Sequence, residues 1–491
     1  MSFELFFDLL YVGILAFNAD HVSEDAANSQ ELLRFIITFL MSWKIWADVQ
    51  QLIGWFETND ILQRVKILFL IACLLGQTTN MLQTFNATFD TFTQLVGFYL
   101  AARLFIAADF ALTAFLVPSV RGMMISQIAN ILIGAALLIG ATTIPGITHH
   151  ADADAAAAPL EHRAEAGAET AESTQRAGRL VLVFLALAVD NFGAIVPILL
   201  FRYANTHTNH IAKRIGYFYE FYPAINIEHK VERTNAFVSL VFGYSVVAMI
   251  FQNAGSFALN AFLGKAVLGL TQAYIFNWLY FEVDGANIAT HAIRRSHNSA
   301  VIWQHAHLAF IMAYVLGASA LSMMVVATDV GNAPLDELTP FYQHRSAPDV
   351  SLALRLYYCV GFAVALIGMA LISLSHEHKL PVAVCRVPKW LRLCNRLAVC
   401  VVFLCLPAAG DRLNSLELIG LATGLMVWIL AVELWGKSCK LQSFVWEEDE
   451  TRCRYTARCA RRKLEDAMKS DGEVDVVELG RSEKTAALAM S

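Results

Sequence analysis

The chain has 491 residues, of which 57% are hydrophobic and 16% are charged, with a formal net charge of −6 and a mean hydropathy of +0.51. Soluble globular proteins contain about 45–50% apolar and about 25% charged residues, so this composition excludes an ordinary soluble protein. The net charge does not identify a partner, and no nucleic-acid-binding motif is recognisable.

Long apolar runs predict membrane-spanning helices along most of the chain, because about 20 apolar residues are needed to cross the hydrocarbon core. The first run carries acidic residues and follows no basic segment, so it is expected to be a retained span rather than a signal peptide. Lipid offers no partner to a free backbone group, which predicts an all-α transmembrane bundle over residues 1–436. The bundle is expected to have about twelve spans, near residues 4–20, 33–55, 62–82, 92–117, 122–143, 180–201, 234–254, 257–281, 300–326, 351–374, 394–410 and 415–436.

The loops predict an orientation for these spans. Most loop Lys and Arg residues fall on the side of both termini, so the positive-inside rule places both termini in the cytoplasm. The Ala/Glu-rich segment 144–178 is predicted to be an outer loop, and the aromatic, basic segment 202–232 an inner interfacial segment. Asn86 opens an Asn-Ala-Thr sequon on the outer side and is a candidate glycosylation site. Residues 437–491 are predicted to form a cytoplasmic tail, partly basic and amphipathic, with a disordered end.

A short internal similarity favours a repeat. WFETND (55–60) and YFEVD (280–284) each end an even-numbered predicted span on the cytoplasmic side. Two parallel halves of six helices each, as in many transporters, would explain the spacing. Chance similarity over so few residues is the alternative.

Several elements between residue 3 and about residue 325 resemble motifs of the low-temperature-requirement A family of membrane proteins. FELFFDL (3–9) carries most of the likeness, which extends to polar residues in further elements: Asp60, Arg64, His229, Glu232, Arg233, His305 and His307. The family tends to have Gly-Glu where this chain has Gly243-Tyr244, so no role of that carboxylate is carried over. The resemblance implies a multi-span membrane protein linked by name to growth in the cold, of a fungal type, with no established reaction.

Ionisable residues inside the predicted spans are the candidate functional residues, because a charge at mid-bilayer costs about 2.5–3.5 kcal/mol on insertion scales. Lys44 and Asp48 are expected to pair within one helix, and Asp8 with Arg103 across the bundle. The set comprises Glu4, Asp8, Lys44, Asp48, Arg103, Asp109, Asp190 and Lys265. Two interpretations stay open, namely a polar pathway and a set of structural ion pairs.

The favoured function is a transporter or channel-like protein for an ion, a proton or a small solute. The alternative is a membrane scaffold or sensor without transport. A third hypothesis is a metal-dependent intramembrane hydrolase, which would gather His229, Glu232 and one of His305 and His307 around zinc. The nine cysteines form no CxxC pair, and no catalytic residue, metal ligand or cofactor is assigned from the sequence. The lipid bilayer is the expected partner.

Overall fold

The computed structural model describes residues 2–24, 28–55, 61–86, 90–144, 162–254, 259–286, 288–379 and 385–438, and for 162–176 it describes the backbone alone. Asp60, Glu57 of the predicted repeat and the tail from residue 439 onward lie outside the described residues. The chain divides into two compact units. The first comprises residues 1–379 and 393–430, and the second comprises residues 380–392 and 431–491.

Helices dominate the described residues, as predicted for an all-α protein. They are α1 (Ser2–Glu24), α2 (Ser29–Trp55), α3 (Ile61–Thr79), α4 (Phe92–Leu116), α5 (Arg121–Thr143), α6 (His162–Phe192), α7 (Ile195–Thr206), α8 (His210–Phe218), α9 (Ile227–Ala248), α10 (Ala261–Trp278), α11 (Ala292–Arg295), α12 (His297–Val325), α13 (Pro340–Arg345), α14 (Leu352–Ser375), α15 (Lys389–Cys405) and α16 (Ser415–Lys437). A π-helical segment, Leu279–Asp284, continues α10. The strands β1 (Ile288–Thr290) and β2 (Glu377–His378) pair antiparallel.

Eight helical segments in the described part of the chain are long and apolar enough to cross a membrane. A bent pair of helices, taken as one span, makes nine. The helices α2, α9 and α10 are long as well but are not among them, and each carries polar or charged residues such as Lys44, Arg233 and Lys265. The all-α bundle is therefore confirmed, while the number of twelve spans stays a prediction.

The bent pair consists of α6 and α7. The helix α6 begins at His162, inside the segment expected to be an outer loop, and it ends at Phe192. The axes of Ala177–Phe192 and Ile195–Thr206 differ by 45°. Pro197 has no N–H to donate to the carbonyl of Gly193, and Val196 N donates to that carbonyl instead, at 3.1 Å. The sixth predicted span is thus a broken helix.

Small residues bring α12 and α14 together closely. A Cβ atom on Gly361 would lie 2.8 Å from the backbone oxygen of Ala313 and 2.8 Å from the backbone nitrogen of Gly317. Such a contact between backbones is possible only where a side chain is absent, as is common between membrane helices. The two helices therefore pack backbone against backbone within the first unit.

The second unit contains the start of α15 and the end of α16. Within it, Arg392 Nη1 donates to Glu433 Oε2 at 2.6 Å, and both side chains are buried. Val387 N donates to the carbonyl of Gly436 at 3.1 Å. A buried cation is thus matched by a buried carboxylate inside this unit.

Candidate functional site

Five side chains of α2, α4 and α6 form a buried group that we call the Arg103 cluster: Lys44, Asp48, Tyr99, Arg103 and Asp190. Arg103 Nη2 donates to Asp190 Oδ1 at 2.7 Å, and Arg103 Nη1 pairs with Asp48. Lys44 Nζ lies 2.8 Å from Asp48 Oδ1, as the spacing in α2 predicts. The Tyr99 hydroxyl donates to Asp190 Oδ2 at 2.7 Å. The cluster therefore holds two formal positive and two formal negative charges.

Helical spacing and one glycine shape this cluster. Tyr99 and Arg103 are one helical turn apart in α4, so both reach the carboxylate of Asp190. Gly134 of α5 lies directly against that carboxylate, and a Cβ atom there would be 2.7 Å from Asp190 Oδ1. Asp190 is 1% exposed and precedes the break between α6 and α7 by three residues. The carboxylate is thus enclosed by three helices at the point where its own helix bends.

A second group, the Asp8 cluster, joins α1, α2 and α9 through Glu4, Asp8, Trp46, His229 and Arg233, of which Glu4 and His229 are partly exposed. Trp46 Nε1 donates to Asp8 Oδ1 at 2.9 Å, and Arg233 Nη2 pairs with Asp8 Oδ2. Arg233 Nε and His229 Nε2 each lie 3.7 Å from the carboxylate of Glu4. The FELFFDL element (3–9) and the motif residues His229 and Arg233 thus meet in space.

The predicted pair between Asp8 and Arg103 is wrong. The helix α9 begins at Ile227, so Arg233 lies within the helix, where it is buried and reaches Asp8. Both terminal nitrogens of Arg103 bond to carboxylates of α2 and α6. The helices that lie next to each residue thus determine its partner.

The other two predicted intramembrane charges lie in separate groups. Asp109 of α4 pairs with Lys66 of α3, nearer the surface of the first unit. Lys265 of α10 is fully buried and donates to the carbonyl of Ala327 at 2.6 Å and to Ser415 Oγ at 3.1 Å. Ser415 in turn donates from its backbone nitrogen to Asp329 at 2.6 Å. Within the described part of the chain, no hydrogen bond or ion pair joins either group to the Arg103 cluster.

The buried ion pair between Arg396 and Asp284 is a further one that the sequence analysis does not predict. Arg396 Nη1 donates to Asp284 Oδ2 at 2.8 Å, and Arg396 is 0% exposed. The sequence offered a weak signal, since Asp284 ends YFEVD and Arg396 lies near the start of the predicted span 394–410. Its place near the start of an apolar run concealed its burial.

Three further predicted residues lie at the surface. Arg64 in α3 and Glu232 in α9 are exposed. Asn86 is exposed as well, and its Nδ2 donates to Gln83 Oε1 at 2.9 Å. These positions contribute to neither cluster.

The two histidines of α12 point in different directions. His307 Nδ1 lies 2.7 Å from the carbonyl of Trp303, and its Nε2 lies 2.9 Å from the hydroxyl of Tyr280. His305 Nδ1 lies 2.8 Å from the carbonyl of Val301, and its ring stacks on Phe192. Among the described residues, no three His, Cys, Asp or Glu side chains form a group with metal-binding geometry. The hydrolase hypothesis therefore lacks a ligand set in the described part of the chain.

Comparison with known proteins gives one result. The model of a family described as "Bacterial low temperature requirement A protein (LtrA)" matches residues 1–432. No curated protein and no solved structure gives a significant match. The matched range includes every residue of the Arg103 cluster and of the Asp8 cluster.

Proposed function

Because the chain belongs to the low temperature requirement A family, which makes it an integral multi-pass membrane protein, we propose that it moves an ion, a proton or a small solute across the bilayer. The Arg103 cluster is the observation that carries this proposal. Charged side chains inside membrane helices are rare and usually line substrate or ion pathways. Four of them, all less than 10% exposed, meet here among three helices.

The broken helix supports the same proposal. In many transporters, substrate and ion sites lie where a span is interrupted near mid-membrane. The break at residues 193–194 comes three residues after Asp190, and the axes of the two helical segments differ there by 45°. A carboxylate beside such a break is suited to exchange a proton or to bind a cation.

Flux measurements test the proposal. Purified protein in proteoliposomes would be given gradients of H⁺, Na⁺, K⁺ and Cl⁻ separately, with pH varied on each side. We expect flux of at least one ion, and we expect Asp190→Asn to abolish its pH dependence because the amide cannot bind a proton. Asp109→Asn is the matched control, since that carboxylate pairs with Lys66 away from the break. Equal flux for Asp190→Asn and the parent protein at every pH would show that Asp190 is structural.

The alternative, a scaffold or sensor without transport, is favoured by one specific observation. Each charge of the Arg103 cluster already has an oppositely charged partner within the cluster. Pairs of this kind fix helix positions, and breaking one strongly destabilises a protein. Under this alternative no ion gradient produces flux in the parent protein, and the expected effect of Asp190→Asn is a lower melting temperature.

The orientation is also a proposal. We place both termini, and the segment 202–232, on the cytoplasmic side, with 144–178 outside. The amphipathic helix α8 supports this, because Lys213 and Arg214 accompany the exposed apolar side chains of Ile211 and Tyr217, as in helices that lie on anionic leaflets. A tag inserted in 144–178 should react with an impermeant reagent on intact cells, whereas a tag at the carboxyl terminus should react only after permeabilisation.

A further inference from the structure

Two histidines of α12, His305 and His307, are held in the same tautomer by their own helix. The Nδ1 atom of His305 lies 2.8 Å from the carbonyl oxygen of Val301, and that of His307 lies 2.7 Å from the carbonyl oxygen of Trp303. A carbonyl oxygen can only accept a hydrogen bond, so each Nδ1 carries a hydrogen and donates it one turn back. In both rings Nε2 is therefore the atom that can gain a proton.

The surroundings of Nε2 differ between the two rings. Nε2 of His307 lies 2.9 Å from the hydroxyl of Tyr280, which can donate its hydrogen to the lone pair of a neutral ring. The same hydroxyl lies 3.0 Å from Asn235 Oδ1, but Asn235 is partly exposed and is not confined to this donor. Nε2 of His305 lies 3.4 Å from the backbone carbonyl oxygen of Asn191 in α6. That oxygen has no hydrogen to donate, so only a protonated His305 can form this bond.

The contact of His305 falls at the end of a helix, where a positive charge is favourable. Asn191 is the second-last residue of α6, which ends at Phe192 before the break to α7. Carbonyl groups at the carboxyl end of a helix carry a partial negative charge, which favours a cation. The ring of His305 stacks on that of Phe192, with centroids 4.7 Å apart, and this stacking holds the imidazole over the helix end.

No hydrogen bond or ion pair of the described residues joins a charged side chain to His305. The charged groups of the adjoining helices are bonded to other partners, namely Asp190, Arg103, Lys44 and Asp48 within the Arg103 cluster and Lys230 with Gln304. His305 is partly exposed and lies about two turns from the start of α12 at His297, which gives a proton a short route to the ring. His307, by contrast, is 1% exposed.

We propose that His305 is a proton-binding site that links α12 to the end of α6, whereas His307 stays neutral. A hydronium ion gives its proton to the lone pair of Nε2 and leaves as water. The ring gains one positive charge, and the new N–H donates to the carbonyl oxygen of Asn191. Acidification thus tightens the contact between α12 and the broken span beside Asp190. This site goes beyond the proposed transport, because its proton is detected in a protein that is given no ion gradient.

NMR of the full chain in nanodiscs, with isotope-labelled histidine, tests the protonation, because the nitrogen chemical shifts distinguish a charged ring from each neutral tautomer. Between about pH 8 and about pH 5, the ring of His305 should become charged, and that of His307 should stay neutral with its hydrogen on Nδ1. The signals of His305 are those missing from His305→Gln. Ala306-His307 is the only Ala-His pair in the chain, so additional labelling of alanine identifies His307 without a variant. A neutral His305 at about pH 5, or a charged His307 anywhere in this range, would overturn the assignment.

A second measurement separates the proposed link from a histidine that merely titrates. The dipolar coupling between histidine nitrogen and asparagine carbonyl carbon should grow from about pH 8 to about pH 5, and His305→Gln should lack this increase. At about pH 5, backbone hydrogens of the peptide that contains Asn191 should exchange about tenfold more slowly in the parent protein than in His305→Gln, and at about pH 8 equally fast. His307→Gln is the matched control and should keep the pH dependence of the parent. Titration of His305 without a change in coupling, or the same pH effect on exchange in His305→Gln, would refute the link.

Discussion

The pairing of Asp8 with Arg233 makes a quantitative prediction about stability. The side chain of Asp8 is 0% exposed and that of Arg233 is 5% exposed, so removing the guanidinium leaves a carboxylate in an apolar surrounding. Breaking a buried pair from one side costs about 3–5 kcal/mol, and we expect this loss of unfolding free energy for Arg233→Met. Asp8→Asn keeps an acceptor for Trp46 and removes the charge, so it should cost less.

The double variant is the decisive measurement. Once Asp8 is neutral, the missing guanidinium matters less, so the two costs should fall short of additivity by about 1.5–3 kcal/mol. Unfolding would be followed by titration with SDS in mixed micelles, for the parent protein, both single variants and the double variant. Glu4→Gln is the control, since its contact with Arg233 is longer at 3.7 Å, and it should cost about 1 kcal/mol or less. Single costs that add within about 0.5 kcal/mol would refute a coupling between Asp8 and Arg233.

Three other changes have expected outcomes. Gly361→Ala should lower the free energy of unfolding by about 1–3 kcal/mol, because its Cβ atom would meet backbone atoms at 2.8 Å. Gly424→Ala is the control, since the space around Gly424 is open, and it should raise the free energy of unfolding by up to about 1 kcal/mol. SDS titration measures both variants. Gly134→Ala should displace the carboxylate of Asp190 and lower the free energy of unfolding by about 1–3 kcal/mol. An unchanged free energy of unfolding would show that the carboxylate can move away from the new methyl group without loss. Burial and a neighbouring arginine lower the pKa of His291 to about 4, so melting temperature should fall as pH drops from 6.5 to 4, and His291→Asn should flatten that slope.

The helical membrane bundle could be predicted from the sequence because it depends on local composition. Runs of about 20 apolar residues identify most spans without any knowledge of their neighbours. The pair of Lys44 and Asp48 was predictable for the same reason, since both residues lie on one helix. Short motifs sufficed to indicate the family, which the match over residues 1–432 confirms.

Partners across the bundle could not be predicted in this way. Arg233, Lys66 and Arg396 lie close to the ends of predicted spans, and each lies in a helix and pairs with an acidic residue of another segment. Near a span boundary, a basic residue fits the positive-inside pattern equally well whether it faces the headgroups or turns inward. Only the helix neighbours distinguish these cases, and they are set by packing between distant parts of the chain.

The balanced charge of the Arg103 cluster has a consequence for how the protein responds to voltage. A group with two positive and two negative charges carries no net charge, so moving it as one body along the membrane normal does no net work against a uniform field. Binding a single proton changes this, because moving one elementary charge across the full membrane potential requires about 2.3 kcal/mol of electrical work per 100 mV. A displacement of the neutral cluster as one body is thus insensitive to membrane voltage, whereas one added proton would make the same displacement electrogenic.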